Sequence, residues 1–117
     1  MLSAKRYHII CDLKSCNEKI NAKEALREFL ENLAKIIDMS ILEGPIIAEG
    51  LPENPGLTAL MIVDFSHVSI HTFSNYNEAL IDIFSCKEYN KTLASNYCLE
   101  FFGVSKENSR IKEVWWG

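Results

Sequence analysis

The densest collection of reactive side chains in this 117-residue chain lies between Phe65 and Cys86. The stretch Phe65-Ser66-His67-Val68-Ser69-Ile70-His71-Thr72-Phe73 carries two histidines and three hydroxyls, and a thiol, Cys86, stands twenty residues after Ser66. Three kinds of chemistry use such residues. Metal chelation by His67 and His71 needs both on one helical face, but Val68, Ser69, Ile70 and Thr72 favour a strand, where residues four apart stand roughly 13 Å from each other. Ser-His hydrolysis is expected on a G-x-S-x-G elbow leading from strand to helix, and Ser66 has neither the glycines nor a helix after it. The plain alternative is a set of polar residues on a half-exposed sheet.

The elements that must hold these residues are legible from periodicity. Residues 6–13 (RYHIICDL) predict a strand. Asn21 is placed to cap a helix over 22–37, where Ala25-Leu26, Phe29-Leu30, Leu33 and Ile36-Ile37 recur at helical spacing opposite Glu24, Arg27, Glu28, Glu31 and Lys35. Residues 40–48 predict a strand, with Gly44-Pro45 marking a bulge or an edge. Residues 49–56, with two glycines and two prolines, predict a loop. Strands are expected next over 57–65, a nearly continuous apolar run suited to the sheet centre, and over 68–73 and 79–86. A second helix is expected over 87–102, stopped by Gly103, and a last strand over 110–116. The order β-α-β-β-β-β-α-β predicts one α+β domain over 1–117: a two-layer sandwich, mainly antiparallel, with both helices on one face. The other face, with Met, Phe, His and Trp candidates, is left for a second copy of the chain to cover. Of Trp115 and Trp116, one is expected in the core and the other at that dimer face.

Composition narrows the function. Twelve Lys+Arg against sixteen Asp+Glu give a net charge of −4, which argues against nucleic acid as a partner. No apolar run reaches the roughly 18 residues that span a bilayer, so no membrane partner is expected. The first residues alternate into Asp12 and read as a strand rather than a signal peptide, which predicts a cytoplasmic location. Cys11, Cys16, Cys86 and Cys98 have neither disulfide-framework nor zinc spacing; Cys11, Cys16 and Cys98 are expected as packing residues and His8 as a polar strand residue.

The order and spacing of the central stretch go further. The pattern Ser66-His67-Val68-Ser69-Ile70-His71-Thr72-Phe73, then Tyr76, then Asp82-Ile83-Phe84-Ser85-Cys86, resembles the small prokaryotic S-adenosylmethionine decarboxylase proenzymes. The likeness covers nearly the whole chain, including the opening HIICDLKSC with Cys16, the helix from Ala22 and the Gly56-Leu57-Thr58 turn. The resemblance implies that Ser66 attacks the carbonyl of Phe65, that the chain splits between them, and that Ser66 becomes a pyruvoyl group. That self-derived cofactor forms a Schiff base with the substrate and serves as electron sink, with no metal and no separately bound cofactor. It further implies proton transfer in processing by His71, a helping hydroxyl at Thr58, and a proton donor in catalysis at Cys86. A thiol suits that task while protonated, which a partly buried site favours. Phe73 is implied as an adenine-stacking residue and Asn75 as a ribose contact.

The chain departs from the family pattern at four places. Phe65 replaces a glutamate before the processed serine, Asn75 a glutamate and Pro52 a second stacking aromatic, while Asp64 replaces a small apolar residue. Asp64 is placed either to bind a cationic substrate group or to face solvent. The implied activity is decarboxylation of S-adenosylmethionine for polyamine (spermidine) biosynthesis. A pyruvoyl decarboxylase of another amino acid, such as arginine or ornithine, and an uncleaved binding or partner subunit are the alternatives. Strand geometry adds a constraint: Ser66 and His71, five apart, point to opposite faces of an unbulged strand and stand roughly 16 Å from each other. A homodimer in which His71 and Thr58 of one subunit meet Ser66 and Cys86 of the other resolves this, and the resemblance implies such shared sites.

Overall fold

The computed structural model describes residues 3–116; Met1, Leu2 and Gly117, the ends of the expected domain, lie outside it. The elements run β1 (Tyr7–Leu13), α1 (Lys23–Ile36), β2 (Ile41–Glu49), β3 (Leu57–Val63), β4 (Ser66–Phe73), β5 (Glu78–Ser85), α2 (Lys91–Phe101) and β6 (Ser109–Val114). The six strands form one sheet in the order β2-β3-β4-β5-β1-β6, with every neighbouring pair antiparallel.

Alternation along the strands separates two faces. Ile9, Cys11 and Leu13 of β1, Leu57, Ala59, Met61 and Val63 of β3, Val68, Ile70 and Thr72 of β4, and Ala79, Ile81 and Ile83 of β5 are buried. They meet Leu26, Phe29, Leu30 and Leu33 of α1 and Ala94 and Cys98 of α2 in one apolar core. Helix α1 lies against β2 and β3 and α2 against β1, so the two-layer arrangement is the expected one. Burying a leucine or phenylalanine side chain contributes about 1.5–3 kcal/mol, and this single interface holds the fold together.

The opposite face carries no second layer among the described residues, and it is not polar. Leu60 is 39% and Ile62 43% exposed, with Ile46 beside Leu60 on β2 and Leu80 exposed on β5, across from His71. The continuous apolar run of β3 therefore serves two faces, one covered by helices and one open. No methionine of β3 is on the open face: Met61 is odd-numbered like Ala59 and Val63, and is fully buried under the helices.

Local chemistry shifts several boundaries. Asn21 ends a short 3-10 turn (Glu18–Asn21), and Ala22 takes the N-cap position of α1. The capping asparagine is Asn17, whose Oδ1 accepts from the Lys19 N–H at 3.0 Å while its Nδ2 donates to the Phe101 carbonyl at 3.1 Å. Helix α2 begins later than its periodicity predicts, because Asn90 accepts from the Leu93 N–H at 2.9 Å and fixes the start there. Tyr89, before that start, donates its hydroxyl to the Ile83 carbonyl at 2.9 Å. Gly103 stops α2 with φ +64°, as expected. Gly44-Pro45 lies where the β2–β3 register shifts on an edge strand, so both readings of that pair hold. Neither tryptophan enters the core. Strand β6 ends at Val114, and Trp115 and Trp116 lie beyond it, 85% and 51% exposed.

Candidate active site

Hairpin β3–β4 carries most of the expected site residues, and it distributes them between its two ends. At one end, the residues Asp64 and Phe65 turn the chain between Val63 and Ser66, which face each other across the ladder. Ser66 opens β4 half-buried and with φ +152°. A side-chain-bearing residue pays about 1–3 kcal/mol for such a conformation, which persists only where neighbours impose it. The neighbours are identifiable. Ser66 pairs with Ser85 on β5, and the next residue, Cys86, donates its backbone N–H to the Phe65 carbonyl at 3.0 Å. The carbonyl that Ser66 would attack is thus polarised by a fixed donor, and the Cys86 thiol belongs to the same corner. Cys86 is exposed in the single chain rather than partly buried as expected.

More contacts hold this corner. Asp64 Oδ1 accepts from the Ser40 N–H at 3.2 Å, and the Asp64 N–H donates to the Ser40 carbonyl at 3.0 Å. Lys87 Nζ donates to the Asp38 carbonyl at 2.9 Å and lies 5.3 Å from the centre of the Phe65 ring. Of the two readings of Asp64, the structure fits neither fully: the side chain is exposed but engaged, as a clamp on its own turn.

At the other end, Thr58 faces His71 across the β3–β4 ladder, and Thr58 Oγ1 lies 3.0 Å from His71 Nδ1. Two backbone features fix this pair. Thr72 Oγ1 accepts from the Leu57 N–H at 2.9 Å. Gly56 packs so closely on Thr72 that a Cβ there would stand 1.9 Å from the Thr72 carbonyl oxygen. Phe73 ends β4 half-buried, and Asn75 is exposed in the turn after it. Pro52 lines a hollow of about 360 Å³ with Leu51, Pro55, Gly56 and Ser74, but Phe73 and Asn75 are not among its walls.

The ladder pairs β4 and β5 without a break from Ser66 to Phe73, so Ser66 and His71 belong to opposite alternation sets, as the five-residue spacing predicts. Their separation remains roughly 16 Å along the strand. One chain brings together Phe65, Ser66 and Cys86, and separately Thr58 and His71.

One cluster on the open face is not legible in the sequence. His8 Nε2 lies 2.9 Å and His67 Nε2 4.0 Å from Asp82 Oδ1. The His8 ring meets the edge of Phe84 and stacks on Trp116. His8 is thus the polar strand residue expected, and its partner is set by β1–β5 register, which a single sequence does not reveal. Among the buried cysteines, burial pushes the Cys16 thiol up to about 11, with the Glu78 carboxylate adding to the rise. A hydrogen bond with Cys11, then burial, holds Cys98 well above the ordinary thiol range. Both fit packing roles.

An open antiparallel sheet with two helices on one face thus carries a serine-cysteine corner remote from a threonine-histidine pair. A family model described as S-adenosylmethionine decarboxylase matches residues 7–114. The chain belongs to this family, whose members are carboxy-lyases. An S-adenosylmethionine decarboxylase proenzyme from Thermodesulfovibrio yellowstonii is 32% identical over 99 residues, covering 81% of this chain and 70% of its own. The proenzyme of the same name from Hydrogenobaculum sp. is 31% identical, covering 93% and 89%. An arginine decarboxylase proenzyme from Caldivirga maquilingensis is 27% identical, covering 72% and 63%. In fold, the chain superposes on the crystal structure of the adenosylmethionine decarboxylase from Aquifex aeolicus with a TM-score of 0.80 at 23% identity, over 97% of this chain and 91% of that one. Among the described residues, no helix is long and apolar enough to cross a membrane.

Proposed function

We propose that this chain is a pyruvoyl-dependent decarboxylase of S-adenosylmethionine, serving polyamine (spermidine) biosynthesis in the cytoplasm, which makes its prosthetic group by cleavage between Phe65 and Ser66. The observation that carries this reading is the Phe65 carbonyl, held at 3.0 Å on the Cys86 N–H beside a serine with φ +152°. A polarised carbonyl and a strained residue after it lower the barrier to acyl transfer, since part of the distortion is already present in the ground state.

The residues present fit the group. Ser66 Oγ adds to the Phe65 carbonyl carbon, the C–N bond breaks as the amine takes a proton, and an ester forms. Loss of the Ser66 α-hydrogen as a proton then expels the Phe65 carboxylate from Cβ. One water replaces the nitrogen, which leaves as ammonia, so no oxidant or reductant is needed. His71, hydrogen-bonded to the Thr58 hydroxyl, handles the protons of these steps. Once formed, the keto group supplies an electron sink for the pair left when carbon dioxide departs. Cys86 returns a proton to the substrate carbon, and Phe73 and Asn75 receive the nucleoside.

His71 and Thr58 reach Ser66 only from a second subunit. The open sheet face, with Leu60, Ile62 and Leu80 uncovered, supports a homodimer with two composite sites. Mixing Ser66→Ala and His71→Ala chains tests the sharing: hybrids are expected to regain cleavage in the one site that pairs intact Ser66 with intact His71, and hybrids that stay whole would contradict it.

The intact mass of the purified protein under denaturing conditions tests the whole reading. Fragments 1–65 and 66–117, the second beginning in a pyruvoyl group, are expected. A wild-type chain that stays uncut after long incubation, like Ser66→Ala, would instead favour the binding or partner subunit. A second substrate reading rests on Pro52 and Asn75, which leave the adenosine contacts thin, and on the arginine decarboxylase proenzyme among the relatives. Carbon dioxide release from S-adenosylmethionine, arginine and ornithine by the cleaved protein decides between them.

A further inference from the structure

Asp64 departs from the family pattern, yet both its backbone and its side chain are engaged. Its N–H donates to the Ser40 carbonyl at 3.0 Å and its Oδ1 accepts from the Ser40 N–H at 3.2 Å, a reciprocal pair between the β3–β4 turn and the entry to β2. The entry is itself rigid. Asp38, with φ +57°, ends α1 by donating its N–H to the Lys35 carbonyl, and the Met39 N–H donates to the Ala34 carbonyl at 2.9 Å. Lys87, one residue past Cys86, ties the exit of β5 to the same segment through the Asp38 carbonyl. The turn is therefore anchored to the end of α1 on one side and to Cys86 on the other.

We propose that Asp64 is a positioning residue for self-cleavage: its bond to Ser40 holds the turn so that the Phe65 carbonyl stays on the Cys86 N–H while Ser66 keeps its strained conformation. Asp64 touches neither reacting atom and acts through Phe65. Without the side-chain acceptor, one of the two Ser40 links is lost. The Phe65-Ser66 peptide, which carries the attacked carbonyl, is then held less firmly, the carbonyl leaves its donor more often, and Ser66 relaxes toward ordinary strand geometry. This inference rests on the pyruvoyl reading and names a residue in its first step.

The test is the rate of cleavage of freshly purified proenzyme, tracked by intact mass, in the wild type, Asp64→Asn and Asp64→Ala. Asparagine keeps a carbonyl acceptor and loses the charge; alanine loses both. Removing a hydrogen bond that holds the reacting geometry is expected to slow Asp64→Ala about tenfold or more, with Asp64→Asn within about threefold of the wild type. Tyr89→Phe, which loses hydrogen bonds to the Ile83 and Tyr7 carbonyls but leaves the Ser40 pair and the Cys86 N–H bond in place, controls for stability and is expected to cleave at the wild-type rate at matched distance below its melting temperature. Wild-type cleavage in Asp64→Ala, or slowing in Asp64→Asn as large as in Asp64→Ala, or equal slowing in Tyr89→Phe, would overturn the proposal alone. An uncut wild-type chain would overturn it together with the pyruvoyl reading.

Discussion

The two ends of hairpin β3–β4 share strands, ladder and solvent access, yet they are built in different ways. The Ser66 end is shaped mostly by backbone: a tight turn, a positive φ and a carbonyl on a neighbouring N–H, with one side chain, Asp64, completing a reciprocal pair with Ser40. The His71 end is regular strand, where a side-chain hydrogen bond joins Thr58 to His71 and Gly56 permits the close approach beneath them. Reactive geometry at the first end is imposed by its surroundings and does not depend on which side chain fills position 65. At the second end it depends on the side chains themselves. On the proposed reading, the contrast accounts for a phenylalanine at position 65: cleavage would use only its carbonyl, while the ring rests under Lys87.

That contrast is breakable by substitution. Ser66→Ala is expected to abolish cleavage outright, read as a single uncut mass, because no other hydroxyl reaches the Phe65 carbonyl from the same residue. His71→Ala is expected to slow cleavage by about 10²–10⁴-fold, the range for removing a positioned acid-base group. Thr58→Ala should cost less, and Thr58→Ser should restore most of the rate, since only the hydroxyl is required. Gly56→Ala tests whether backbone also matters at the His71 end. A Cβ 1.9 Å from the Thr72 carbonyl oxygen, at φ +151°, forces the loop apart. A loss of about 2–4 kcal/mol in urea unfolding is expected, and an unchanged midpoint would mean the approach is not required.

The smallest effect is a pH dependence. Burial raises the folded-state Cys16 thiol from the ordinary 9.0 to about 11, so the folded protein holds a proton that the unfolded chain releases first. Stability from this group is full below about 9 and is lost as pH rises through 11. Tyr89 and Cys98 are shifted in the same direction. The urea midpoint is therefore expected to fall from pH 9 upward, and Cys16→Ser should flatten part of that fall.

The sequence is most informative where a pattern is local. Helix α1 and the strands are readable from spacing, because one side of each element is buried and its residues say so. The start of α2 is misplaced by periodicity because the apolar spacing continues back through Tyr89, whereas the helix begins at a cap, Asn90. Methionine is among the residue types expected on the open face, yet Met61 is buried under the helices, because a strand apolar on both sides gives no phase. Trp115 and Trp116 read as strand, yet β6 stops before them, and its last rung on β1 is His8 with Val114. The resemblance points to Ser66, His71, Thr58 and Cys86 as site residues but is silent on what aims the Phe65 carbonyl. The Cys86 N–H, the Ser40 pair of Asp64 and the His8–Asp82–His67 cluster all depend on strand register, which residue types do not encode.

The strand order also decides the fate of the two pieces that a cut at 65–66 would leave. Residues up to 65 supply β1, β2 and β3, and those from 66 supply β4, β5 and β6, while the sheet runs β2-β3-β4-β5-β1-β6. The first piece flanks the second at β3–β4, and its own β1 is inserted between β5 and β6 of the second. Three seams of backbone hydrogen bonds, β3–β4, β5–β1 and β1–β6, join the two pieces. Neither can leave without dismantling the sheet, so dissociation of the fragments and loss of the fold would be a single event.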